Sequence, residues 1–124
     1  MWDDRDFRER FADVEIELKA LEITQMRVVA AQARDPGRPD PASSILKIKG
    51  SQLQQATTEL LLEVAGPFAL AAPERGAEPT NDWPFDHDWA DAAAASYFNN
   101  RKVSIYGGSN EIQKNIIAKA VLGL

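Results

Sequence analysis

Residues 105–119 read IYGGSNEIQKNIIAK. Two adjacent glycines, Gly107 and Gly108, stand directly before a run with helical spacing. Ser109 and Asn110 are both good N-caps, because a short polar side chain can accept a hydrogen bond from an N–H group in the first turn. Beyond them, Ile112, Ile116 and Ala120 form one line, and Ile117, Val121 and Leu124 form another. A terminal helix over roughly 110–122 is therefore expected, apolar on more than one side.

Working back from the glycines, WADAAAASYFNNRKV predicts an alanine-rich helix over roughly 89–104, with Asp88 as its cap. Alanine leaves room for a neighbouring helix to approach closely. The preceding stretch, roughly 67–87, carries Pro73, Pro79 and Pro84 and has no periodicity, so a long loop is expected there. Before it, Leu46, Gly50, Leu53, Thr57, Leu60 and Val64 keep helical spacing over roughly 41–65. Asp40-Pro41 opens that helix and Gly66-Pro67 closes it.

The longest periodic stretch covers roughly 4–34. Phe7, Phe11, Val14, Leu18, Leu21, Gln25 and Val28 follow a 4-3-4-3 spacing along one face. Ile16, Ala20, Ile23 and Ala30 form a second stripe. Asp3 and Asp4 suit its N-terminus. Two apolar stripes require cover on more than one side, which a two-helix hairpin does not give, so a bundle or an oligomer is implied. RDPGRPDP makes a short connection, which sets the first two helices antiparallel. Strand-like alternation is absent. The expected fold is all-α, an antiparallel up-down bundle of about four helices in one domain over 1–124.

Composition narrows the function classes. The chain has 124 residues and a formal net charge of −5, which favours neither nucleic acid nor an anionic membrane surface. It has no cysteine, hence no disulfide and no thiolate metal site. No apolar run approaches the roughly 20 residues that span a bilayer. MWDDRDFRER has no apolar signal-peptide core. A soluble, cytoplasmic protein is expected. His87 sits among aspartates in DWPFDHDWAD; capping and loop solvation explain those acids better than a metal site does, and a single histidine excludes the Glu-x-x-His pairs of a di-iron bundle. A Ser-His-Asp triad lacks an elbow motif.

RKVSIYGGSNEIQKNIIAK resembles the C-terminal signature of flavin-dependent acyl-CoA dehydrogenases. SSILKIKGSQLQQATTELLLEVAGP resembles a helix of the same family that ends in glycine, and FRERFADVEIELKALEITQMRVVA fits the helix before it. The resemblance implies a C-terminal helical-bundle domain of a larger enzyme that carries FAD. It implies an acyl-CoA substrate undergoing α,β-dehydrogenation, an electron-transfer acceptor and a homo-oligomer, dimer or tetramer, built on this bundle. It also implies that the bundle's first helix is missing, which leaves apolar faces uncovered.

Site residues follow from the same resemblance. Gly107 occupies the position of the usual catalytic glutamate, so no catalytic base is expected in this chain. Gly108 matches the family's turn glycine. Ser109 and Glu111 match cofactor contacts. Glu63 falls where a glutamine approaches FAD across a subunit interface, and Gly66 falls at the close-approach glycine after it. Tyr106 lines the acyl pocket. Read structurally, Ser109 is a cap, Glu111 complements the helix dipole, Gly66 ends a helix and Tyr106 is core. The isolated chain is expected to be inactive and not to retain FAD. The alternatives are a non-catalytic oligomerisation subunit, paired with a base-bearing partner, and an unrelated helical interaction domain.

Overall fold

A computed structural model describes residues 1–37, 40–70 and 90–123. Among these residues there are four α-helices and no strand: α1 (Arg5–Arg34), α2 (Ala42–Ala65), α3 (Asp91–Asn100) and α4 (Asn110–Leu122). A short 3₁₀ segment follows α2 at Gly66–Leu70 and another follows α3 at Arg101–Ser104. The expected all-α architecture is the one observed. Most of the proline-rich loop, the Asp88 cap, His87 with its neighbouring aspartates, and Leu124 lie outside the described residues.

The helix ends follow local chemistry. The Asp4 carboxylate accepts from the N–H of Asp6 at 2.9 Å and caps α1. The Asp40 carboxylate accepts from the N–H of Ala42 at 2.9 Å, and Pro41 already has helical torsions (φ −60, ψ −19). Asp40 therefore caps α2 and Pro41 opens it, as the sequence reading has it. The start of the stretch expected as loop is instead a 3₁₀ turn, Gly66–Leu70.

α2 is the shared neighbour: α1, α3 and α4 all pack on it. α1 and α2 run antiparallel. Arg10 pairs with Glu63 at 2.6 Å, whereas Glu17 pairs with Lys49 at 2.8 Å. A Cβ added to Gly50 would stand 4.0 Å from Leu21 Cδ2, so the helices come close there. Val14 of α1 lines one crevice along this seam with Leu53 of α2 and another with Leu60.

The buried face of α1 departs from the expected stripe. Phe7 and Val28 are buried, and Arg10, Val14, Leu21 and Thr24 are half-buried. Phe11 and Leu18, both expected inside, are 37% and 57% exposed, and Gln25 is exposed as well. The line Phe7–Val14–Leu21–Val28 has two flanks, and α2 packs on the Arg10–Glu17–Thr24 flank. That is the side on which both ion pairs to α2 can form. Phe11 is taken up instead by Trp2, edge to face at a centroid distance of 5.3 Å. The second stripe finds no cover among the described residues: Ile16 and Ile23 are 66% and 53% exposed.

The α2–α3 seam is made of small side chains. Ala65, Ala69, Ala90 and Ala93 form a buried cluster, with Leu62 and Ala94 against it. The helix expected to reach residue 104 tightens into 3₁₀ geometry after Asn100. Gln55 Nε2 donates to the carbonyls of Asn100 and Arg101 at 3.3 and 3.1 Å, competing for the acceptors that another α-turn needs. Arg101 returns the bond, donating to the Gln55 carbonyl at 2.7 Å while its guanidinium lies 4.2 Å over the Tyr97 ring.

This core is thin, so the leucines on the α1 seam carry a large share of stability. Leu60→Ala is expected to lower the unfolding free energy by about 2–4 kcal/mol, read from urea denaturation at fixed protein concentration. Ile23→Ala, at an exposed position, is expected to leave the urea midpoint of the monomer nearly unchanged.

Candidate functional site

The turn between α3 and α4 gathers most of the residues that the sequence reading singled out. Both glycines have positive φ, 62° at Gly107 and 86° at Gly108. This left-handed backbone costs an L side chain about 1–2 kcal/mol. The two positions differ in their surroundings. A Cβ at Gly107 would meet nothing within 4 Å, whereas one at Gly108 would lie 2.9 Å from Gln113 Nε2. That amide donates to the Gly107 carbonyl at 2.9 Å and locks the turn onto α4.

Ser109 is extended (φ −60, ψ 159), and its Oγ accepts from the N–H of Ile112 at 3.4 Å. It is therefore the N-cap of α4. Glu111 follows in the first turn. Its carboxyl is held below the ordinary glutamate value, first by its own backbone N–H and then by the Ser109 hydroxyl, with smaller help from Lys114 and Lys47.

α2 fixes where this turn sits. Lys47 Nζ donates to the Ser104 carbonyl at 2.6 Å and to Asn110 Oδ1 at 2.7 Å. Asn110 Nδ2 donates to the buried Ser51 hydroxyl at 3.1 Å, and Ser51 donates to the Ile48 carbonyl at 2.8 Å. Lys47 and Ser51 are one helical turn apart, on the same face. Neither was singled out from the sequence. The available signal was a lysine inside the apolar run Ile45-Leu46-Lys47-Ile48.

Tyr106 is not core: its side chain is 55% exposed. It lines an open cleft of about 580 Å³ between α2 and the end of α3, with Leu46, Gln54, Asn99 and Lys102 among the other walls. Lys102 Nζ lies 5.7 Å from the Tyr106 ring centroid.

Glu63 and Gly66 are elsewhere. From Ser51, which anchors the turn, to Glu63 is about 18 Å along α2 at the helical rise. The Glu63 carboxylate is engaged by Arg10, whose guanidinium is raised above its ordinary value chiefly by that bond. Gly66 (φ 55) ends α2, its N–H donating to the carbonyls of Glu63 and Leu62. The seven positions thus fall into two groups on one chain: Tyr106, Gly107, Gly108, Ser109 and Glu111 at one end of α2, Glu63 and Gly66 at the other. Among the described residues no three His, Asp or Glu side chains come together as a metal site, and no helix is long and apolar enough to cross a membrane.

Comparison with known proteins gives two findings. The family described as "Acyl-CoA dehydrogenase, C-terminal domain" matches residues 1–122. The chain is also 32% identical over 123 residues to acyl-CoA dehydrogenase IpdE1 of Mycobacterium tuberculosis, covering 98% of this chain and 28% of that protein. It thus spans less than a third of the length of the curated relative it matches. No solved structure gives a significant match.

Two outcomes test this description of the turn. Gly107→Ala and Gly108→Ala both pay the left-handed strain, but only the second displaces Gln113. Gly108→Ala is therefore expected to cost about 1 kcal/mol more, the worth of one hydrogen bond. In a Gln113→Ala background that difference should vanish; thermal melts of the four variants check it. For Glu111 the sign follows from its lowered folded value. Its contribution to stability is full above the ordinary glutamate range and is lost as pH falls through the lower folded value. A carboxyl ¹³C titration should show that value moving up toward the ordinary range in Ser109→Ala, and the acid-side stability loss should be smaller in Glu111→Gln.

Proposed function

The chain belongs to the acyl-CoA dehydrogenase family through its C-terminal domain, and from that premise we propose that it serves an FAD-dependent acyl-CoA dehydrogenase as its helical bundle. In this reading it supplies contacts to the cofactor's edges and the oligomer core but no catalytic base. The observation that carries it is the Tyr106–Glu111 turn: a family signature in which a glycine with φ 62° stands at the base position.

The residues present fit FAD in part. Ser109 and Glu111 put a hydroxyl and a carboxylate at one exposed turn, and the open space at Gly107 and Gly66 lets a ligand approach backbone. Glu63 fits less well, since Arg10 already holds its carboxylate. FAD, when bound, supplies the acceptor for the β-hydrogen as hydride. This chain's own part is to orient. Ser109 and Glu111 address the cofactor, and Tyr106 forms a wall against the acyl chain. The α-proton needs a carboxylate within reach of the α-carbon, and the chain offers none at residue 107. The base then comes from another helix of the enzyme or from a partner subunit. The empty space around Gly107 favours an arrangement in which another element fills it. An electron-transfer acceptor and a cytoplasmic location complete this reading.

The two groups of candidate contacts lie at opposite ends of α2, and they address one cofactor most simply if two copies meet across the uncovered stripes. Ile16, Ile23, Met26, Val29, Val121 and Leu122 are all more than half exposed. A homo-oligomer, dimer or tetramer, is the proposed state.

The purified chain is expected to be colourless, without activity, and associated at tens of micromolar in sedimentation, roughly the range in which exposed apolar faces pair. Stoichiometric flavin absorbance in the isolated chain would contradict the assignment of edge contacts only. In the intact enzyme, flavin bleaching by acyl-CoA is compared between wild type and Gly107→Glu, with melting temperatures alongside. Bleaching by wild type without a partner rejects the heteromeric form. An inert wild type with an active Gly107→Glu rejects a base elsewhere in the enzyme.

A further inference from the structure

The cleft beside Tyr106 carries more cationic and amide character than an aliphatic pocket needs. Lys47 and Lys102 line it, together with Gln54, Asn99 and Asn100, and no carboxylate does. This occurs on a chain whose formal net charge is −5. Neither lysine is in a salt bridge among the described residues, whereas Lys49, two residues from Lys47, is paired with Glu17. Lys47 uses two of its three ammonium hydrogens, on Ser104 and Asn110, and one is left to donate. Lys102 makes no side-chain hydrogen bond among the described residues, and its ammonium leans over the Tyr106 ring. Glu111 feels the field of Lys47 but does not line the cleft.

A purely aliphatic occupant would strip water from these groups without replacing its hydrogen bonds, which is unfavourable. An oxyanion replaces them with charge-assisted bonds, the stronger kind. The cleft, about 580 Å³, has room for a small ligand. We propose that it is a binding site for an organic oxyanion, held between the ammonium groups of Lys47 and Lys102 with the amides of Gln54, Asn99 and Asn100 around it. Two sources share that chemistry. One is a carboxylate at the end of a short acyl chain, which Tyr106 would flank; the other is the diphosphate common to coenzyme A and FAD.

The test is an NMR titration of the chain at constant ionic strength with glutarate, inorganic pyrophosphate and uncharged glutaramide. Saturable amide shifts are expected with the anions, confined to α2 around Lys47–Gln54 and to the segment around Asn99–Tyr106, and none with glutaramide. Preference for glutarate points to a charged acyl tail, and preference for pyrophosphate to the diphosphate; either supports the site. Lys102→Gln is expected to weaken the preferred anion about tenfold, the loss of one charge-assisted hydrogen bond, and Lys102→Arg to retain it. The hydrogen bond between Lys102 and Ile105 is made by the Lys102 backbone carbonyl, which accepts from the N–H of Ile105, so side-chain variants keep the fold intact. The proposal is overturned if Lys102→Gln binds as wild type does. It is also overturned if glutaramide shifts the same amides, or if the anions shift lysines on every face alike. The titration contains no flavin, so its failure and the failure of the flavin reading are separate results.

Discussion

Everything at the functional end of this domain hangs on one face of α2. Lys47, Ser51, Gln55 and Thr58 follow one another at helical spacing, and each reaches across to the segment between Asn100 and Asn110. Lys47 holds the Ser104 carbonyl and the Asn110 amide; Gln55 and Arg101 exchange hydrogen bonds. An irregular turn has few backbone bonds of its own, so its position must come from side chains. Here they come from a single rigid helix. That helix is also the common neighbour of α1 and α3, so a shift of α2 would move the turn and both seams together.

The buried hydrophobic cluster of the structure is built from small side chains. The buried cluster at the α2–α3 seam consists of alanines, and no large side chain is fully buried among the described residues. Burial contributes roughly 25 cal/mol per Å² of apolar surface, so alanines give little each. Meanwhile large apolar residues on α1 and α4 remain exposed. Among the described residues this leaves exposed apolar surface on both helices. The chain belongs to the acyl-CoA dehydrogenase family through its C-terminal domain and spans 28% of the length of the curated relative it matches.

The candidate site is a case where one residue type satisfies two readings. Ser109 caps α4 and Glu111 complements its first turn, and both geometries are present. A helix N-terminus needs such groups whether or not a cofactor lies nearby. Glu63 is different. Its engagement by Arg10 joins residues 53 apart in the chain, and no local pattern announces it. The cleft beside Tyr106 was equally hidden, because its cations come from α2 and from the end of α3.

The sequence by itself determined the helices, the caps of three of them and their order. Helical period, Asp4, Asp40 and Ser109 are local signals, and local hydrogen bonds answer them. It also marked the Tyr106–Glu111 turn, because adjacent glycines before a cap ask for left-handed backbone, and both have it. Only the tertiary structure decided which flank of α1 is buried. Phe11 and Arg10 are neighbours on either side of the same line, and the choice rests on Glu63 and Lys49 of another helix. Tertiary structure likewise ended α3 in a 3₁₀ turn and gave Lys47 its partners. In each case the deciding group lies on a different helix, and the spacing of residues along one helix carries no information about what will stand opposite it.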